Sequence, residues 1–389
     1  MTLYQVPDIG PDDDSVIAEI HAIRAELAMV LRAPRRWTGG LRRHSAARAI
    51  QGSNTIEGYT VSHEDAVAAV DDEPPLTADE ATWAEILGYR RVLTFVLNVA
   101  SEPGFRIDES TVRSMHFMLL EHELTKSPGR YRTSEIYVHD DIRDRDVYEG
   151  PDPSDVPTLM EELSAALHTE SPFDPLVRGA MAHLNLVMIH PFRDGNGRMA
   201  RALQTMVLAQ DQLVEPAFSS IEEWLGRNTA DYYGVLAATG RGAWNPANDA
   251  GLWLRFNLRA HHFQAQTMRR RFRDAELMWQ GIDQLLSEYS LHERVGEALF
   301  DALIGERVTR PTYVKRSDLD ERTATRDLTG AADLGLLTAH NERRARYYTA
   351  GPRLIELRHA VRELQTELSD PYPGLLMQIR TEALKSERQ

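Results

Sequence analysis

A mostly α-helical fold is predicted by three observations. Apolar residues recur at spacings of three and four through long stretches of the 389-residue sequence, as on one face of a helix. Strand-like stretches are brief, at Ile136-Tyr137-Val138 and in two pieces near 335–348. Pro191 and the Asn245-Pro246 pair punctuate the periodic segments, where proline ends a helix by lacking an amide hydrogen and restricting the residue before it.

Taken in order, Ile17, Ile20, Ile23, Leu27 and Val30 predict a helix over Val16–Leu31. A second helix runs from Ser45 to Glu57. In it Ser53 and Glu57, four apart, share a face, and Gly58 supplies a left-handed terminator. Helices over Thr82–Ala100, Ser110–Glu123 and Ser154–His168 follow, with a hairpin around Ile136, Tyr137 and Val138. Leu176, Val177, Ala180, Leu184, Val187 and Met188 make Phe173–Ile189 a buried helix that Pro191 ends, leaving His190 at a helix-to-loop corner. His183, on the core side of that helix, reads as a satisfied buried histidine. Met199, Leu203, Met206 and Val207 then resume the helical period, and Leu252–Leu286 forms a long helix.

Composition narrows the function classes. A hydrophobic share of 42% is that of a globular chain long enough for two or three domains. With no cysteine, disulfides and cysteine-ligated zinc are excluded. A formal charge of −15 argues against wholesale binding to nucleic acid or anionic membranes. No apolar run reaches the roughly 18 residues of a membrane span, and the acidic start of the chain is unlike a secretory signal, so a cytoplasmic protein is expected.

The chemistry concentrates in His190-Pro191-Phe192-Arg193-Asp194-Gly195-Asn196-Gly197-Arg198-Met199-Ala200-Arg201. A helix starting at the glycines points its free amides and positive dipole end at the loop, which favours phosphate. Arg198 and Arg201, three apart, can grip successive phosphates. Asp194 offers a hard oxygen to Mg2+, which takes one or two carboxylates together with phosphate oxygens and water. His190 can accept a proton from an attacking hydroxyl.

Position for position, this run resembles the Fic-family pattern His-Pro-Phe-x-(Asp/Glu)-Gly-Asn-Gly-Arg-x-x-Arg. The resemblance implies a Fic-fold helical bundle with a short β-hairpin flap. It also implies an enzyme that moves AMP from ATP, with Mg2+, to a Tyr, Thr or Ser hydroxyl of a target protein, itself included. Carried over by position, His190 is the base and Asp194 holds the metal. Asn196, with the Gly195 and Gly197 amides, cradles the α and β phosphates, and Arg198 and Arg201 neutralise the outer ones. Phe192 anchors the loop, and Gly197 stands where the family's kinase-like branch carries lysine. Ser53-Asn54-Thr55-Ile56-Glu57-Gly58 resembles the family's inhibitory pattern (Ser/Thr)-x-x-x-Glu-(Gly/Asn), which implies an ion pair of Glu57 with Arg201, within one chain or across a homodimer. Ile136, Tyr137 and Val138 resemble the flap that docks the target by strand-like pairing; an ordinary surface hairpin fits them too. The acidic run from His139 through Asp141, Asp144 and Asp146 reads as solvated charge. Glu57 could instead orient water to remove AMP from a modified protein, and a DNA-binding regulator that only senses nucleotide is a further alternative, against which the intact His190 speaks.

Beyond Leu291, helices over Arg294–Ile304, Tyr313–Arg316 and Arg322–Leu334, with strands at Gly335-Leu336-Leu337 and Arg343 to Tyr348, resemble a winged helix-turn-helix. Arg310–Arg346 holds eight basic residues against six acidic. DNA binding by the helix from Arg322 is one reading; Asp327 and Asp333 on that helix favour protein docking as the other. Expected domains are therefore 1–100, an N-terminal helical region with the inhibitory helix at about 45–58; 101–285, the catalytic core; and 286–389, the winged-helix-like domain with a C-terminal helix.

Overall fold

A computed structural model describes residues 3–140, 145–169, 171–210, 216–341 and 346–386. In chain order its elements are α1 (Pro11–Leu31), α2 (Thr38–Ile56), α3 (His63–Val70), α4 (Glu80–Val99), α5 (Glu109–Leu120), β1 (Tyr137–Asp140) and β2 (Arg145–Glu149). There follow α6 (Val156–His168), α7 (Pro175–Ile189), α8 (Asn196–Ala209), α9 (Pro216–Ser219), α10 (Glu222–Arg227), α11 (Thr229–Gly240) and α12 (Gly251–Glu288). The chain closes with α13 (Val295–Leu303), β3 (Val308–Thr309), α14 (Arg310–Ser317), α15 (Glu321–Asp333), β4 (Leu337–His340), β5 (Tyr347–Ala350), α16 (Pro352–Glu363) and α17 (Leu375–Ser386). The predominance of helix agrees with the periodicity of the sequence.

Helix starts follow local chemistry. The carboxylates of Asp79, Asp108 and Asp174 accept from the amides of Thr82, Thr111 and Leu176, satisfying amides that have no partner inside their own helix. Asp174 and Pro175 therefore begin α7 two residues later than apolar spacing alone suggests.

Two compact units make up the chain: Met1–Ala28, His44–Gln266 and Ser369–Gln389 form one, Met29–Arg43 and Thr267–Leu368 the other. The expected boundary at 100/101 is not where the chain divides, because α4 buries Ile86, Tyr89 and Val92 in the same apolar core as α7 and α8. Nor does the C-terminal helix group with residues 286–368. It lies in the first unit, where Ile379 is buried beside Gly234 of α11 and Arg380 bonds Asp231 at 2.9 Å.

At the centre of the first unit, α7 and α8 pack together and are buried along nearly all their length. Against them α2 crosses α10 with backbones in contact: a Cβ on Gly52 would lie 2.3 Å from the Glu222 carbonyl oxygen, and one on Gly226 2.7 Å from the Gly52 Cα. The hairpin β1–β2 is antiparallel with an irregular register between Val138 and His139. Tyr137 and Val138 fall in β1, whereas Ile136 precedes it and receives a bond from the Gly150 amide through its carbonyl. In the second unit, β3, β5 and β4 form an antiparallel sheet in that order. The tip of its β4–β5 hairpin, with Arg343 and Arg344, lies outside the described residues, as do Asp141 and Asp144 of the acidic run.

Replacement of Gly52 by Ala forces α2 away from α10. Chemical denaturation should show a loss of about 1–3 kcal/mol, and unchanged stability would contradict the backbone contact.

Candidate active site

His190 caps α7 in the left-handed region, at φ 51° and ψ 55°. That conformation is strained for a residue with a side chain, more so before proline. Three bonds hold it. Its amide donates to the Leu186 carbonyl at 3.0 Å, its Nδ1 lies 3.0 Å from the Val187 carbonyl, and its own carbonyl accepts from Arg132 Nε at 2.8 Å. A carbonyl can only accept, so Nδ1 carries the proton and Nε2 keeps its lone pair. Burial pushes the imidazole below its usual range, against the Val187 bond and the nearby Glu57 and Asp194 carboxylates, which raise it. A neutral, oriented base results.

Arg132 organises this corner. Its amide donates to the Pro191 carbonyl at 2.9 Å, and its guanidinium also reaches the carbonyls of Ser134 at 2.9 Å and Pro151 at 2.6 Å. At the C-terminal, electronegative end of α7 it also reaches the Ile189 carbonyl, at 3.4 Å. From β2 the Tyr148 hydroxyl donates to the Met188 carbonyl at 2.8 Å, so the hairpin is tied down beside the histidine. Tyr137 stays exposed on it, its hydroxyl on Glu135 at 3.1 Å.

The loop from Phe192 closes on itself through Asn196, whose Oδ1 accepts from the Phe192 amide and whose Nδ2 donates to the Phe192 carbonyl, both at 2.9 Å. The Asn196 side chain, expected to cradle phosphate, braces the loop here, and the backbone amides at the start of α8 stand beside it. Phe192 is fully buried and stacks on His116 at 3.7 Å between centroids. The Gly129 amide donates to His116 Nδ1 at 2.8 Å, which places the proton on Nε2, 3.0 Å from the Asp194 carbonyl. Burial holds His116 down to about 4, so it is neutral and structural. Gly195 takes φ 75° as the N-cap of α8, where a Cβ would also strike Leu119 at 2.9 Å.

Asp194 Oδ2 pairs with Lys126 Nζ at 2.9 Å and Oδ1 accepts from the Gly195 amide at 2.6 Å. Burial raises its pKa, but Lys126, Arg198 and the Gly195 amide together hold it below the usual carboxylate range. Among the described residues no group of three or more His, Cys, Asp or Glu side chains could hold a metal. One ionised carboxylate fits a hard cation that draws its other ligands from phosphate and water.

Both motif arginines are buried, and each meets a carboxylate. Arg201 Nε donates to Ser53 Oγ at 2.9 Å, and its Nη2 donates to the Ser53 carbonyl at 3.0 Å and to Glu57 Oε1 at 2.6 Å. Its Nη1 is buried with no hydrogen-bond partner. Despite burial, which lowers it, Glu57 drives the Arg201 pKa above the usual range. Gly197 makes room for this contact: a Cβ there would lie 2.6 Å from Glu57 Oε1. Arg198 was expected to face outer phosphates alongside Arg201; its Nη1 is paired with Glu85 of α4, which His122 also approaches at 3.2 Å. Its Nε remains buried without a partner.

Ser53 and Glu57 are delivered by the end of α2. Gly58 turns at φ +88°, its amide donating to the Thr55 carbonyl at 3.0 Å, and the Tyr233 hydroxyl donates to the Ile56 carbonyl at 2.9 Å. His183, as expected, is a core residue: its Nδ1 meets Gln204 at 2.6 Å and its Nε2 the Tyr232 hydroxyl at 2.9 Å.

Residues 106–208 match the model of the Fic/DOC family. The match spans the motif but not α2 or Glu57. A protein adenylyltransferase Fic of Nematostella vectensis is 30% identical over 159 residues, covering 40% of this chain and 36% of the relative. One from Caenorhabditis elegans is 28% identical over 165 residues, covering 42% and 30%. The chain therefore aligns with about a third of the length of these curated relatives. In fold it is similar to a Fic family protein from Desulfovibrio desulfuricans G20, at 24% identity and a TM-score of 0.56, over 90% of this chain and 99% of that one.

Beside the Fic motif, Arg132, His116, Lys126 and Glu85 complete the site, and sequence reasoning missed them. Nothing about a lone arginine or histidine signals burial. Only the unfilled carbonyls that a proline-ended helix must leave could have prompted a search for a donor such as Arg132. Imidazole NMR of the free protein should find His190 protonating below 6.5, with its neutral form carrying the proton on Nδ1. A midpoint at or above 6.5, or a proton on Nε2, would contradict this geometry.

Proposed function

We propose that this protein is a magnesium-dependent adenylyltransferase that moves AMP from ATP to a hydroxyl side chain of a protein, and that Glu57 restrains it by occupying Arg201. The observation that carries the reading is the neutral His190, pinned through Nδ1 and with no hydrogen bond at Nε2 among the described residues, beside the mouth of a glycine-started helix whose motif arginines are buried. The relatives named above act as adenylyltransferases by their names, which supports the same chemistry here.

In the reaction so read, His190 Nε2 takes the proton of the acceptor hydroxyl as its oxygen attacks the α-phosphorus. The bond from that phosphorus to the bridging oxygen breaks, and pyrophosphate leaves with the electron pair. A divalent cation, when bound at Asp194, would supply charge neutralisation to the phosphates. The amides at the start of α8 and the guanidiniums of Arg198 and Arg201 stabilise charge on the nonbridging oxygens, the dominant need in transfer at phosphorus. Tyr137 and Val138 in β1, tied beside His190 through Tyr148, suit the docking of an extended acceptor segment. The element order α13, β3, α14, α15, β4, β5 supports reading the second unit as a winged helix-turn-helix.

With Glu57 in place, Arg201 already has a carboxylate partner and the carboxylate crowds Gly197 at the helix start. Replacing Glu57 with Gly should raise AMP incorporation from labelled ATP by on the order of ten- to hundredfold, given the strength of buried ion pairs. No rise would remove Glu57 as a restraint while leaving the transfer reading intact.

Replacing His190 with Ala in that Glu57→Gly background should lower transfer by about 10²- to 10⁴-fold, the usual contribution of a general base. ATP affinity by calorimetry should hold within about threefold, because the histidine meets the acceptor rather than the phosphates. Equal labelling by both proteins would exclude His190 as the base.

A further inference from the structure

The second unit differs in charge from the rest of the chain. Its residues 29–43 hold five arginines and no acid, and its residues 267–368 hold 17 Lys+Arg against 17 Asp+Glu, so the unit is a formal +5 within a chain of −15 and the stretch with the helices and sheet is neutral. The remainder accordingly carries −20.

In this unit α14 and α15 are joined by a three-residue turn at Asp318–Asp320, with Asp318 left-handed at φ 48°. That is a helix-turn-helix, in which the second helix is the one presented to a duplex groove. Helix α15 sorts its residues sharply. Ala324, Asp327, Leu328 and Ala331 face inward, while Arg322, Thr325 and Arg326 are exposed on the opposite side.

Asp327, the residue on this helix that speaks most strongly against an anionic partner, is turned into the unit. Arg294 grips its carboxylate through Nε at 2.6 Å and Nη2 at 3.1 Å, and the Tyr313 hydroxyl lies at 3.4 Å. Its charge is neutralised away from the surface. Asp320 is engaged as the cap of α15, accepting from the Thr323 amide at 2.9 Å, and Asp333 lies at the far end of the helix.

The outer face borders a groove of about 560 Å³ lined by Arg310, Glu321, Arg322, Thr325, Arg326 and Thr329. Among the described residues the guanidinium of Arg322 has no ion-pair partner, and that of Arg326 comes only within 3.9 Å of the buried Asp327. Arg310 meets Glu321 at 3.5 Å in an exposed pair, which is weak. Arginine forks on one helix face are donors suited to phosphates and to the major-groove edges of bases, while the Thr325 hydroxyl beside them already donates to the Glu321 carbonyl at 2.7 Å.

We propose that this face binds double-stranded DNA, with α15 in the major groove and Arg310, Arg322 and Arg326 on phosphates and base edges. The inference is independent of the catalytic reading, and goes beyond it by giving the second unit a partner. An acidic polypeptide, such as the −20 surface of a second copy, is the competing occupant.

The full-length protein is tested by fluorescence anisotropy with a labelled mixed-sequence duplex of about 30 base pairs, at about 50 mM salt and upward. Saturable binding is expected, with a log–log salt slope of roughly −3 for three phosphate-contacting arginines. The Arg322→Ala/Arg326→Ala double variant, at solvent-exposed positions and checked for an unchanged melting curve, should bind at least about tenfold more weakly and with a shallower slope. No binding by the folded wild-type protein would overturn the proposal. So would equal affinity of the double variant, or displacement of the duplex by poly-glutamate as readily as by unlabelled duplex.

Discussion

A buried guanidinium without an anion is too costly to keep, and the first unit is built around how Arg201 meets that demand. Its Nε and Nη2 are satisfied by Ser53 in the last turn of α2 and by Glu57 just after it. Removing one partner from such a pair exposes the full desolvation penalty of the other. Any ligand that frees Arg201 from Glu57 must therefore replace the carboxylate with negative charge of its own. Polyphosphate at the start of α8 offers that charge in the place where the carboxylate now lies against Gly197. On the proposed reading, restraint and substrate recognition are one interaction contested by two anions.

The geometry that permits this contest is held by backbone features with no polar side chain of their own. Gly52 and Gly226 let α2 rest directly on α10, Gly58 turns the chain after Glu57, and the lack of a Cβ at Gly197 leaves the carboxylate its space. Across the loop, Arg132 bonds the carbonyls of Ile189 and His190 where α7 stops and that of Pro151, fixing the His190 corner, while Asn196 and His116 close the loop between them. Precision at the site thus comes from satisfying backbone groups, and the motif side chains inherit their positions.

This explains what the sequence discloses and what it conceals. The helices around the motif are legible because apolar period, Pro191 and the glycines act locally, and the Ser53–Glu57–Arg201 contact could be anticipated because two spaced patterns each point to it. Asn196 carries a role that the sequence does not announce: its amide group matches the Phe192 peptide and closes a turn. The pairing of Arg198 with Glu85, 113 residues away in the chain, is hidden because no local pattern announces a tertiary ion pair. Asp327 shows the same limit in the second unit, where its charge counts against DNA in sequence but is buried on Arg294 in space. The grouping of α17 with the first unit is equally invisible to a reading along the chain.

The central claim is that Glu57 acts by withholding Arg201, and coupling between the two positions tests it most directly. AMP incorporation should be compared in wild type, Glu57→Gly, Arg201→Lys and the double variant. Lysine keeps the charge but loses the fork that reaches Ser53 and a phosphate together. The account predicts that Glu57→Gly accelerates labelling only when Arg201 is intact, so the double variant labels no faster than Arg201→Lys alone. Acceleration by the same factor in both backgrounds would show that Glu57 acts elsewhere.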